Sequence, residues 1–135
     1  AMDLPAAHPF NPPALLRLAW ACARQGAPNR HVCEAIFRHA WQGGAAADDA
    51  ARLQALTAQL APTRDPAGAE VKQALRAATD AALAAGVFGV PTFAVDGRLF
   101  WGLDALPMLR AQIEGDVRVD AVWAAAASVA QGVRR

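Results

Sequence analysis

The stretch from Gly86 to Asp104 constrains this chain more than any other, because the pattern of the sequence changes there. Thr92-Phe93-Ala94-Val95 and Arg98-Leu99-Phe100-Trp101 are short β-type runs on either side of Asp96-Gly97. Asp-Gly between two such runs is a strong hairpin signal, since both turn residues must adopt positive φ. Pro91 stands just ahead of the first run, a position where its missing N–H does no harm. Upstream and downstream of this hairpin the apolar residues recur at helical spacing instead. The expected fold class is therefore α+β, mostly α, and 135 residues suit one domain.

The helical reading runs as follows. Residues 1–13 hold four prolines and no periodicity, and form an extended lead-in. Asn11 is placed to cap the first helix, with Pro12 and Pro13 in its opening turn. That helix carries Leu15, Leu18, Ala19 and Cys22 on one stripe and ends near Gln25-Gly26. A second, from about Arg30, carries Cys33, Ile36, Phe37, Ala40 and Trp41 and stops at Gly43-Gly44. A third, from about Asp48, presents Leu53, Leu56 and Leu60 and is closed by Pro62. Asp65-Pro66 signals the start of a fourth, with Val71, Leu75, Ala78 and Ala82 inward and Gly86 at its end. After the hairpin, Gly102-Leu103-Asp104 opens a fifth helix, with Asp104 as its cap and Leu106, Leu109 and Ile113 as its stripe. A last helix, from about Val119, puts Val122, Ala126, Val129 and Val133 on one face. The organisation expected is a lead-in over 1–13, a helical subdomain over 12–85, a β-β-α segment over 86–116 and a C-terminal helix over 117–135.

Charge and cysteine content narrow the function classes. The net charge is +1, which excludes retention on nucleic acid or anionic lipid by bulk charge. No apolar run approaches the roughly 20 residues needed to span a bilayer. The first residues carry no basic segment of the kind that opens a secretory signal. Cys22 and Cys33 lie in helical patterns, outside any C-x-x-C or zinc spacing, and read as small core residues; a reducing, cytoplasmic setting follows. His8, His31 and His39 are scattered, with no carboxylate placed to orient them as bases.

The run Gly86-Val87-Phe88-Gly89-Val90-Pro91-Thr92-Phe93, the Asp96-Gly97 turn and the Phe100-Trp101-Gly102-Leu103-Asp104 end together resemble the 2-hydroxychromene-2-carboxylate isomerase family. That family belongs with DsbA-like proteins and kappa-class glutathione transferases, and the matched stretch corresponds to the second half of a thioredoxin fold. The resemblance is specific over Gly86–Asp104 and extends less sharply back to about Phe10 and forward to about Ile113. It implies a cis bond at Val90-Pro91, where cis costs only about 0.5–1 kcal/mol. It also implies that Val90 turns its N–H and C=O toward a bound cysteinyl peptide, as an added strand would. Gly102, Leu103 and Asp104 would receive glutathione, the free N–H groups taking its γ-glutamyl carboxylate and Asp104 its ammonium. Trp101 stands beside this edge as either core or pocket wall; Phe88 reads first as core and second as a wall for an aromatic substrate. Asn11 matches an asparagine that the family keeps near the substrate pocket. Leu103-Asp104-Ala105 stands where the family has Gln-Asp-Arg, so glutathione is expected to bind weakly.

The catalytic serine or cysteine of these families lies at the start of the first helix of the thioredoxin fold. Nothing before Pro12 is long enough to supply the strand, helix and strand that open such a fold, so the sequence reads as partial or truncated. The one serine, Ser128, lies in the last helix, and no catalytic residue is assigned. The resemblance implies glutathione as cofactor and a small aromatic substrate, isomerised by reversible addition of the thiol. Alternatives are a DsbA-like thiol–disulfide oxidoreductase whose active-site half is absent, and a non-catalytic binding or assembly module. No metal is implied. A two-strand hairpin with a free edge is marginal alone and invites another strand, so a homo-oligomer is expected. Sedimentation equilibrium checks this: the expected result is a mass above 14.1 kDa, and a single 14.1 kDa species at every concentration excludes it.

Overall fold

The computed structural model describes residues 2–24 and 26–127. Two compact units divide the chain, Ala1–Ala81 and Ala82–Arg135. Among the described residues the elements are α1 (Pro13–Cys22), α2 (Arg30–Trp41), α3 (Ala50–Leu60), α4 (Ala69–Ala84), β1 (Thr92–Val95), β2 (Arg98–Trp101), α5 (Leu106–Ile113) and α6 (Val117–Ala127). The mostly helical α+β class expected from the sequence is the class found.

In the first unit α1, α2 and α3 pack on one another pairwise. Leu15, Leu18, Ala35, Ala40, Ala47 and Leu56 form the buried centre, with Cys22, Ile36, Leu53 and Leu60 half-buried around it. The lead-in is tied to the end of α2: the Asp3 N–H donates to Trp41 O at 2.8 Å, and the Asp3 carboxylate accepts from the Gly43 N–H at 2.9 Å. His8 and Phe10 lie against the Trp41 ring, at 5.5 and 6.0 Å between centroids. Its His8–Pro9 bond is cis.

Several local expectations need correction. Asn11 does not cap α1: Pro12 occupies the cap position, without a side-chain hydrogen bond. A proline there already removes a donor that would otherwise need a partner. Phe37 and Val122 are exposed rather than inward. On α2 the smaller Val32, Ala35 and Ala40 take the packed face, and on α6 it is Val119 and Trp123. Asp65-Pro66 opens a turn before the helix. The Asp65 carboxylate accepts from the Ala67 N–H at 2.8 Å and its carbonyl accepts from Gly68, so α4 begins only at Ala69. The first helix ends at Cys22, ahead of the expected Gln25-Gly26, while Gln25, Ser128, Val129 and Val133 lie outside the described residues.

The second unit is built on the hairpin. Thr92 pairs with Trp101, Phe93 with Phe100, Ala94 with Leu99 and Val95 with Arg98, antiparallel. Asp96 and Gly97 turn the chain with φ of 49° and 75°, the paired positive values that a two-residue hairpin requires. Because side chains alternate across a strand, Phe93, Val95, Arg98 and Phe100 share one face. Phe100, only 2% exposed, anchors that face. α5 packs against both strands and against α6, and Trp123 lies 5.1 Å from the Phe100 ring. Arg98 joins three elements: Nη1 donates to Gln112 Oε1 at 2.5 Å, Nη2 to Asp120 Oδ1 at 2.6 Å, and the guanidinium lies 5.4 Å from the Trp123 ring centroid.

Arg98 is half-buried whereas Asp120 is exposed, so the ion pair itself contributes little and the contacts with Gln112 and Trp123 dominate. Arg98→Ala is expected to cost about 1–2 kcal/mol, and Asp120→Ala under about 0.5 kcal/mol. Hydrogen exchange of the β1 and β2 amides measures both; equal losses for the two variants would show that the salt bridge, not the buried contacts, holds the hairpin to its helices.

Candidate functional site

The site foreseen in the sequence is the loop 88–91 with the end of β2 and the turn that follows. The loop is held at two points. Thr92 Oγ1 donates to Gly89 O at 2.6 Å, closing a turn around Val90 and Pro91. The Gly102 N–H donates to Pro91 O at 2.9 Å, which fastens the loop to the end of β2. Val90-Pro91 is cis, as expected. Neither the N–H nor the C=O of Val90 finds a partner among the described residues.

Around this fixed loop the apolar side chains turn outward. Phe88 is 77% exposed, Val90 88%, Trp101 51% and Leu103 68%. Phe88 is thus not a core residue. Its ring lies 5.1 Å from that of Trp101, tilted by 48°. The indole in turn lies on the backbone of Gly89: a Cβ built there would sit 2.5 Å from Trp101 Nε1 and 3.3 Å from Cδ1. Gly89 therefore determines where the indole rests, a role the sequence does not advertise. The four exposed side chains come from the two segments that the Gly102–Pro91 hydrogen bond joins.

The turn after β2 departs from expectation. Gly102, Leu103 and Asp104 do not open a helix: α5 begins at Leu106, with Ala105 at the cap position and no side-chain cap. Pro107 explains the displacement. Its missing N–H suits the first turn, where amides have no helical partner, so the helix start is drawn to the residues beside it. Asp104 is consequently no N-cap. Its carboxylate folds back over Gly102, whose φ of 87° and lack of a Cβ leave room for Asp104 Oδ1. Among the described residues that carboxylate forms no hydrogen bond, and the N–H groups of Leu103, Asp104 and Ala105 donate none. One exposed carboxylate and three free amides thus share a single turn next to the apolar lip.

The remaining foreseen residues lie in the first unit. Asn11 stands in the lead-in just ahead of α1, and its side chain makes no hydrogen bond. Cys22 and Cys33 are half-buried free thiols, and burial pushes the Cys22 thiol above its ordinary value. His39 Nε2 lies 2.9 Å from Ala47 O, so a carbonyl rather than a carboxylate orients it. No group of three or more His, Cys, Asp or Glu side chains is placed to hold a metal ion among the described residues. No described helix is long and apolar enough to cross a membrane.

The family model for the DSBA-like thioredoxin domain matches residues 2–114 of this chain. Searches of curated proteins and of solved structures give no significant match.

The Gly89 contact yields a direct test. Gly89→Ala places a methyl group against the indole and is expected to drive Trp101 further into solvent, shifting its fluorescence to the red. The same change in a Trp101→Phe background leaves the emission of the other three tryptophans in place. An equal shift in both backgrounds would mean that the methyl group disturbs the whole loop rather than the ring.

Proposed function

Because this chain belongs to the DSBA-like thioredoxin domain family, we propose that it serves glutathione-dependent isomerisation of the 2-hydroxychromene-2-carboxylate type, contributing half of the glutathione site and the wall of an aromatic-substrate pocket. The observation that carries this reading is the meeting of unpaired backbone groups at Val90 with an unpaired carboxylate and free amides at 103–105. Glutathione is an extended peptide with a free ammonium and free carboxylates, and that donor and acceptor set fits it. The cysteinyl backbone pairs with the N–H and C=O of Val90, as an edge strand adds to a sheet. The γ-glutamyl ammonium goes to Asp104, and its carboxylate to the amides of the same turn. Phe88 and Trp101 offer an aromatic surface beside that peptide.

Bound glutathione supplies the thiol that adds to the substrate and leaves again after rotation about a carbon–carbon bond. This chain's own part is to bind and orient. Neither cysteine lies in the loop or hairpin, and the only serine is Ser128, so no described side chain of this site is assigned to stabilise the thiolate. The reading carries with it a reducing compartment.

A second reading, thiol–disulfide exchange, rests on the same family match and uses the same lip for a cysteinyl peptide, without need of Asp104. Calorimetric titration with S-methylglutathione separates the two. The expected result is weak binding that falls by about tenfold in Asp104→Asn, the loss of one charge-assisted contact. Binding of an uncharged, end-blocked cysteinyl peptide as tightly as S-methylglutathione, unaffected by Asp104→Asn, supports the exchange reading. Absence of binding by either ligand overturns both.

A further inference from the structure

Within the helical unit, α2 and α3 leave between them a groove of about 400 Å3. Ala35, Ala55 and Leu56 supply its apolar surface, and His31, Arg38, His39, Arg52 and Gln59 its polar one. No carboxylate lines it. Glu34 lies outside the lining and divides its carboxylate between Arg30 at 2.6 Å and Arg38 at 3.2 Å, so Arg38 is partly paired, whereas Asp49 accepts from the Arg52 backbone N–H at 2.9 Å as the cap of α3 and leaves the Arg52 guanidinium without an acid. The groove is therefore cationic on a partly apolar base.

Its charge is also held in place. Arg52 Nη2 donates to His39 O at 2.8 Å and Nη1 donates to Ala46 O, so two backbone carbonyls fix the guanidinium. Carbonyls orient the group without neutralising it, and three of its five N–H donors remain. His39 Nε2 donates to Ala47 O at 2.9 Å, since a carbonyl can only accept. The side chains of His31 and Gln59 form no hydrogen bond among the described residues. A fixed guanidinium beside unpaired donors is a preorganised receptor for an oxyanion, and a cavity of this size admits a small organic body as well.

We propose that this groove binds an organic oxyanion. Its charged oxygens lie on Arg38 and Arg52, with the histidines as further hydrogen-bond partners, and its apolar body rests on Ala35, Ala55 and Leu56. The site is separate from the loop and hairpin described above and depends on none of their residues.

Benzenesulfonate is the probe, because its charge does not titrate where histidine does. Calorimetry on the full chain at low salt is expected to show binding that is tighter than that of inorganic sulfate. Binding should weaken by about tenfold in Arg38→Gln. Arg38 is exposed, so this variant keeps its fold; Arg52 is left intact because it holds the backbone. In NMR spectra the ring resonances of His31 and His39 should move on titration and those of His8 should not. Three results each overturn the proposal: no binding, binding unchanged in an Arg38→Gln/His31→Ala double variant with unmoved histidine resonances, or sulfate binding as tightly as benzenesulfonate.

Discussion

Arg64 donates through Nη2 to Trp20 O at 2.5 Å and to Ala23 O at 3.1 Å, while its own backbone N–H donates to Ala21 O at 3.3 Å. These are carbonyls at the end of α1, where helical donors run out, Trp20 O taking only the Ala23 N–H at 3.2 Å, and where the helix dipole is negative. One residue from the α3–α4 connection thus ties them down, through its guanidinium and its backbone N–H. Arg52 does the same for the carbonyls of His39 and Ala46 around the end of α2. Arg98 repeats the device in the second unit, with Gln112, Asp120 and the Trp123 ring as its partners. No polar or charged residue is fully buried in the described chain. Its tertiary order depends on half-buried guanidinium groups that reach from one element to another.

The composition makes this dependence understandable. Alanine gives high helix propensity and little area to bury, so helices form readily and bind each other weakly. α4 shows the limit: of its sixteen residues only Val71 is fully buried. In such a chain a few large side chains carry the packing, Leu18 in one unit and Phe100 in the other, and arginine supplies the direction that thin apolar stripes cannot. The long apolar stems of these arginines add covering area while their heads find carbonyls and amides.

This also fixes what could be read in advance. The hairpin was legible because Asp96-Gly97 has a stereochemical requirement few residues meet, and the pairing register follows from it. Helix existence was legible from propensity and punctuation. Which face turns inward was less so. On α2 the two alanines, Ala35 and Ala40, both turn inward beside Val32, and on α6 alanines lie all around the axis, so periodicity alone did not distinguish Phe37 from Ala35, or Val122 from Val119. The start of α5 was misread through Asp104 because a capping residue is a weaker constraint than Pro107, which fixes the first turn whatever precedes it. For the candidate site, the motif pointed to Val90, Trp101, Gly102, Leu103 and Asp104 as residues to inspect, whereas nothing in it pointed to the contact of Gly89 with the indole. It depends on where the chain returns, which is set by the pairing of Thr92 with Trp101 and the Gly102–Pro91 hydrogen bond beside it.

The same pairing explains why the lip stays outside the core. Thr92 and Trp101 sit opposite each other at the open end of the hairpin, on the face away from Phe93 and Phe100. The bonds from Thr92 to Gly89 and from Gly102 to Pro91 fix the loop there, so it cannot fold Val90 and Phe88 inward without losing both. A small domain that leaves Phe88, Val90, Trp101 and Leu103 in water forgoes about 1.5–3 kcal/mol for each large side chain it does not bury. A floppy loop would recover part of that by collapsing onto the nearest apolar surface. This one is held open by two hydrogen bonds and by Gly102, which alone accommodates both the positive φ and the Asp104 carboxylate. Rigid backbone combined with exposed apolar side chains is the arrangement that keeps a surface available for a ligand, since it spares the ligand the cost of ordering the loop.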